Sequence, residues 1–260
     1  MRRNAIARIV IYSVLALVLT SILVSGILAG SFMVHFDSQS GTVVEHEASV
    51  AAADVRKIEI NWAAGSVEFV TADTDRITFR ETSSENSKYD MSYSLHGDTL
   101  QLDYSSTGFT IGFGNHNFPS KDLVVTVPRD WVCGELQIDG ASLTIDIQDL
   151  TVGTLDLDGA SCDISFSGNL DELEVDGAST NITLSCINRI SRISMDGASC
   201  DLELTLPEDC GFTLSMDGLS CDLHTQLPCS AINGRTVYGD GYCEINVDGL
   251  SCDVTILERE

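Results

Sequence analysis

The chain has 260 residues, 39 of them acidic and 14 basic, for a formal charge of −25. Three basic residues, Arg2, Arg3 and Arg8, stand at the extreme N-terminus, so the remainder holds eleven basic against 39 acidic side chains, a net of −28. That balance excludes nucleic acid as a partner, because phosphate binding needs a basic surface, and it favours solubility and cationic or basic partners. The length permits one or two domains.

Residues 1–8 read as a short cytoplasmic tail. Residues 9–34 carry no charge, and 26 residues at ~1.5 Å each reach ~39 Å, enough to cross a ~30 Å hydrocarbon core with tilt. Arginines before this run and Asp37 after it place the N-terminus in the cytoplasm and the rest outside. The expectation is a single-pass cell-membrane protein with a retained transmembrane helix over 9–34. A cleaved signal peptide is the alternative, with Val24-Ser25-Gly26 or Leu28-Ala29-Gly30 as its small-residue site, although such apolar regions usually run ~7–15 residues. Leu28-Ala29-Gly30-Ser31 has Ser where a lipidated Cys is required, so lipidation is not expected. Residues 35–54 are small and polar and read as a linker.

From residue 55 the pattern changes. Ile58-Glu59-Ile60, then Val67-Glu68-Phe69 after Gly65, then Ile77-Thr78-Phe79 alternate apolar and polar side chains, the period of strands with one buried face. Tyr89–Leu95 and Leu100–Tyr104 form a further predicted pair bent at His96-Gly97-Asp98. Residues 105–120 read as a Gly-, Ser- and Asn-rich loop, and Leu123–Val127 as a strand stopped by Pro128. Residues 55–130 are therefore expected to supply irregular first turns and a cap.

Residues 131–257 are built from six copies of one motif. The corners are Asp139-Gly140, Asp158-Gly159, Asp176-Gly177, Asp196-Gly197, Asp217-Gly218 and Asp248-Gly249, each followed by Ala-Ser or Leu-Ser. The steps between them are 19, 18, 20, 21 and 31 residues. A near-fixed short period marks a stacked repeat. Apolar residues alternate before each corner (Leu136, Ile138) and after it (Leu143, Ile145, Ile147), with a change of phase at the Asp-Gly pair. Each copy thus reads as two arms joined by a bend, with Gly accommodating the bend and Asp holding nearby amides. About twenty residues is too short for a strand-helix-strand unit, which takes roughly thirty. The prediction is an all-β fold, a parallel, right-handed β-solenoid of 20-residue rungs over 55–260, each rung stacked on the last. The long final step is expected to be a loop insertion within 228–243.

The anchor, Ile58-Glu59-Ile60, Gly65-Ser66-Val67-Glu68-Phe69, the Val125-Thr126-Val127-Pro128 strand end and the Asp-Gly-(Ala/Leu)-Ser rungs together resemble a bacterial adhesin-like family of unknown function, DUF4097. The resemblance covers roughly residues 55–257. It implies a β-solenoid-like surface domain, with some relatives beside envelope-stress regulators, and no catalytic residues.

Nine cysteines and two rows of acids are the candidate chemistry. Cys162, Cys200, Cys221 and Cys252 share a rung position with Leu143 and Thr180, which reads as inward-facing, Cys acting as a small hydrophobe. Cys229 and Cys243 flank the long insertion and are the candidate disulfide. The six corner aspartates are expected to stack, and Asp163, Asp201, Asp222 and Asp253 to form a second row with Thr144 and Asn181. Asp201, Asp222 and Asp253 are the candidate Ca²⁺-facing residues, since hard oxygen ligands suit that ion; no other cofactor is expected. His96, His116 and His224 have no nucleophile partner the sequence identifies, so no catalytic constellation can be assembled. The functional expectation is a non-enzymatic surface interaction module, adhesin-like, tethered to the membrane through 9–34 and meeting a surface or membrane protein or a glycan. The alternative is a sensor arm in envelope-stress signalling that acts through a membrane partner.

Overall fold

Alternation decides the architecture of the computed structural model, which describes residues 43–84, 90–105 and 119–259. Leu136 and Ile138, then Leu143, Ile145 and Ile147, then Leu150 and Val152 are all buried. The phase changes twice in that stretch and a third time before Leu155 and Leu157, so each coil turns three corners between three inward runs, with Asp149 at φ 56° on the second corner. The strands are β1 (Val43–Ala51), β2 (Lys57–Ala72), β3 (Arg76–Ser84), β4 (Ser92–His96), β5 (Thr99–Asp103) and β6 (Lys121–Pro128). Then come β7 (Val132–Cys186), β8 (Arg192–Leu206), β9 (Phe212–Thr225), β10 (Ser230–Ile232), β11 (Arg235–Tyr238) and β12 (Cys243–Glu258). β7 is one extended segment of 55 residues that passes through three of the six corners.

The predicted transmembrane helix lies outside the described residues, and among those described no helix is long and apolar enough to cross a membrane. Parallel in-register ladders join β2 to β7, β7 to β8, β8 to β12 and β12 to β9. These are the stacked rungs that the repeat implied. β2 adds a degenerate rung, with Asn61 opposite Asp139 and Trp62 opposite Gly140.

Sequence order and spatial order part company at the end. The last rung in the chain, β12, does not stack outside β9; it inserts between β8 and β9, pairing Asp248 with Asp196 on one side and Asp217 on the other. The side chains give the reason. β12 offers Val247, Val254 and Ile256, all at most 1% exposed, whereas β9 offers Met216, Leu223 and Thr225 at the corresponding places, all only partly buried. The more apolar rung takes the inner slot, where burial is worth most. The expected loop insertion is accordingly a return path. Asn233 and Gly234, at φ 51° and 80°, close a tight hairpin between β10 and β11, as a type I′ turn requires. β11 then caps the first arm of β9, pairing Tyr238 with Phe212.

The other end is mixed rather than a run of first turns. The first arm of β2 pairs in parallel with β5, which forms an antiparallel hairpin with β4 bent at Gly97, as the alternation indicated. The second arm of β2 pairs in parallel with β6, and β6, β3 and β1 continue antiparallel. Residues 43–51, expected within a linker, are therefore an edge strand; Ala48 and Val50 pack against the core and supply the apolar face. Most of the predicted loop 105–120 lies outside the described residues.

Candidate interaction surface

The corner aspartates form a ladder. Asn61 faces Asp139, and Asp176, Asp196, Asp248 and Asp217 follow one another in register. Neighbours in such a ladder stand ~4.8 Å apart and repel by about 0.9 kcal/mol even at the dielectric of water. Burial, then the charge of Asp158, raises the Asp139 carboxyl above its ordinary value; burial, then Asp176, does the same to Asp158. Asp156 on the same wall is raised by burial and by Asp158 and Glu174. The corner glycines have ordinary backbone angles, so space and not conformation selects them. A Cβ on Gly159 would stand 2.3 Å from the Cys162 sulfur, and one on Gly218 would stand 2.2 Å from the Gly249 carbonyl oxygen.

The second arms carry the other row. Asn181, Asp201, Asp253 and Asp222 succeed one another in register, all exposed. Asp201, Asp222 and Asp253 are thus brought together, with Asp253 in the middle. Among the described residues no three His, Cys, Asp or Glu side chains converge on a metal-sized site. Where this row crosses the coils of β7 the wall is concave. Thr144, Asp146, Asp163, Ser165, Asn181 and Thr183 line a groove of about 290 Å³ floored by Ile145 and Ile164. Hydroxyl, amide and carboxylate groups alternate along it, so it can donate and accept hydrogen bonds at closely spaced points. A second open depression lies between the Asp73–Asp75 and Pro128–Trp131 turns, where Arg129 meets Asp73 at 3.5 Å.

All nine cysteines are free thiols. Cys162, Cys200 and Cys252 are buried, as the shared position with Leu143 implied, whereas Cys221 is half-buried because its rung ends the stack. The expected Cys229–Cys243 disulfide is not formed. Cys243 opens β12 and is fully buried, in register with Phe212 and close to Cys186 and Cys210, while Cys229 lies half-buried beyond the end of β9. Sequence flanking of the long step did not bring them together, because that step is a hairpin and an insertion rather than a closed loop.

One polar cluster escaped the reading of the sequence. Lys121 and Glu81 form an ion pair at 2.9 Å with both side chains at 0% exposure. Lys121 also donates to the Tyr104 carbonyl oxygen and lies 4.2 Å from the Tyr104 ring centroid, and the Met91 amide donates to Glu81. Burial lowers the Lys121 pKa, opposed by the hydrogen bond to Glu81. The signal was present in the alternation: Lys121 is in phase with Leu123, Val125 and Val127, and Glu81 with Ile77 and Phe79. Two opposite charges on buried phases of strands that turn out to be neighbours are a pair.

The profile of the family described as Toastrack DUF4097 matches residues 55–216. No curated protein matches the chain. Among solved structures, a proposed cell adhesion protein from Clostridium sporogenes aligns with a TM-score of 0.57 and 13% identity, over 84% of this chain and 100% of its own. A proposed adhesin from Bacteroides fragilis aligns at 0.47 and 11%, over 84% and 98%. The similarity to the Clostridium sporogenes structure shows a shared fold.

Proposed function

The chain belongs to the Toastrack DUF4097 family, and from that premise we propose that it is a membrane-anchored, extracytoplasmic interaction module, adhesin-like and non-enzymatic. The groove over Thr144, Asp146, Asp163, Ser165, Asn181 and Thr183 carries the reading. It is shallow, open and mounted on consecutive coils, with hydroxyl, amide and carboxylate side chains over a largely apolar lining, which suits a ligand that presents hydroxyls beside apolar ring faces, as a surface glycan does. The net charge supports a domain that stays soluble and apart from anionic membrane surfaces. The uncharged run 9–34 supports a tether, with the N-terminus in the cytoplasm. Relatives of the same fold named for adhesion are consistent with this assignment.

The test is binding of the full-length protein, held in detergent, to a glycan panel and to intact cells. Saturable binding that Asp163→Ala combined with Asn181→Ala abolishes, at unchanged melting temperature, is the expected result. Absence of glycan or cell binding, together with recovery of one dominant membrane protein after proximity crosslinking in intact cells, would replace it with the envelope-signalling reading.

A further inference from the structure

Cys221 on β9 and Cys252 on β12 are direct register partners whose thiols interact with each other. Cys252 is also the register partner of Cys200 on β8 and interacts with it, and Cys200 in turn pairs with Thr180 of β7 on its far side. Three thiols therefore line up across three rungs, and they differ in two ways. Cys200 and Cys252 are at most 1% exposed, whereas Cys221 is half-buried. β8 is held between β7 and β12, whereas among the described residues β11 covers only Phe212–Leu214 of β9, leaving the arm that carries Cys221 with a free outer edge.

Adjacent parallel strands hold their Cα atoms ~4.8 Å apart, inside the ~4.4–6.8 Å that disulfides span. Their Cβ atoms must approach by about 1 Å to reach the ~3.8 Å of a disulfide. Only the free arm of β9 can make that move without breaking a ladder on its other side. We propose that Cys221 and Cys252 are a redox-active pair, a disulfide site that ties the last rung of the sequence to the last rung of the stack.

The chemistry is thiol–disulfide exchange with a low-molecular-weight disulfide as oxidant. The Cys221 thiolate attacks one sulfur of glutathione disulfide, that S–S bond breaks, and one glutathione thiolate leaves. The Cys252 thiol gives its proton to solvent and attacks the Cys221 sulfur of the mixed disulfide, and the second glutathione leaves. Two protein thiols are oxidised and one glutathione disulfide is reduced to two thiols. Burial pushes Cys252 up to about 12, so the second step is the slower one.

The experiment exposes the full-length protein in detergent to glutathione disulfide, blocks remaining thiols, and maps peptides by mass spectrometry. The expected result is a Cys221–Cys252 linked peptide and a melting temperature raised by about 5–10 °C, reversed by reductant. Cys221→Ser, at a half-exposed position that tolerates the change, abolishes both effects, and Cys200→Ser leaves both in place. A Cys200–Cys252 link, a persistent glutathione adduct on Cys221, or retention of all nine thiols would each overturn the proposal.

Discussion

The carbonyl oxygen of Lys121 lies 1.9 Å from where a Cβ on Gly65 would stand. Gly65 is at φ +123° and pairs with Lys121 at the first step of the β2–β6 ladder. No L side chain fits either the angle or the space, so Gly65→Ala must move the backbone of β6. The expected loss is at least about 3 kcal/mol of unfolding free energy, read by urea denaturation. Gly97→Ala is the control: φ is +66°, nothing lies within 4 Å, and the loss should be about 1–2 kcal/mol. Equal losses would show that strain, and not the approach of Lys121, sets the requirement.

The Lys121–Glu81 pair predicts a non-additive double-mutant cycle. Lys121→Met strands a carboxylate at 0% exposure, and breaking one partner of such a pair costs about 3–5 kcal/mol. Adding Glu81→Gln removes the stranded charge and should restore more than half of that loss. Additive losses in chemical denaturation would mean that the two charges do not depend on each other.

Interleaving of the last rungs ranks two truncations. Ile256 in β12 is 0% exposed, so Ile256→Ala should cost about 2–4 kcal/mol. Leu223 in β9 is only partly buried, so Leu223→Ala should cost less than about 1.5 kcal/mol. Amides around Cys252–Ile256 should also exchange with deuterium more slowly than those around Cys221–Thr225. The reverse ranking would place β9 inside the stack and β12 at its end.

The corner ladder predicts stabilisation by mild acid. Asp139, Asp156 and Asp158 are all raised in the folded state, first by burial and then by neighbouring carboxylates. Their charged forms are disfavoured by folding, so their contribution is fully present below the ordinary aspartate value of about 3.9 and is lost as pH rises through the raised values. The melting temperature should rise as pH falls from 7 towards that window. Asp240, lowered by its hydrogen bond with Arg189, acts oppositely and should erode the gain at still lower pH. Asp158→Asn should raise the melting temperature at pH 7 and flatten the acid response; an unchanged profile would show that the ladder is screened.

Local pattern made much of this legible. The recurring Asp-Gly corner, the phase change across it and the inward Leu143, Cys162, Cys200 and Cys252 follow from period two and a short repeat. The Asn233-Gly234 hairpin and the in-phase charges Glu81 and Lys121 were equally visible signals that the repeat overshadowed. The groove on the second arms was half legible: its rows were readable, but their concavity was not, because curvature belongs to the stacked coils and not to any one of them.

What the sequence by itself determined is the rung: which side chains face inward, where the chain bends, and that identical bends stack. It could not determine the order of the stack. Asp217–Asp222 and Asp248–Asp253 are the same six residues, Asp-Gly-Leu-Ser-Cys-Asp, so backbone pairing alone does not distinguish their slots. Tertiary packing decides between them. The inner slot is covered on both sides and rewards Val247, Val254 and Ile256, while the outer slot tolerates Met216 and Thr225 and leaves Leu219 87% exposed. Burial summed over a whole rung, a quantity no local pattern carries, put the last rung of the chain inside the one before it.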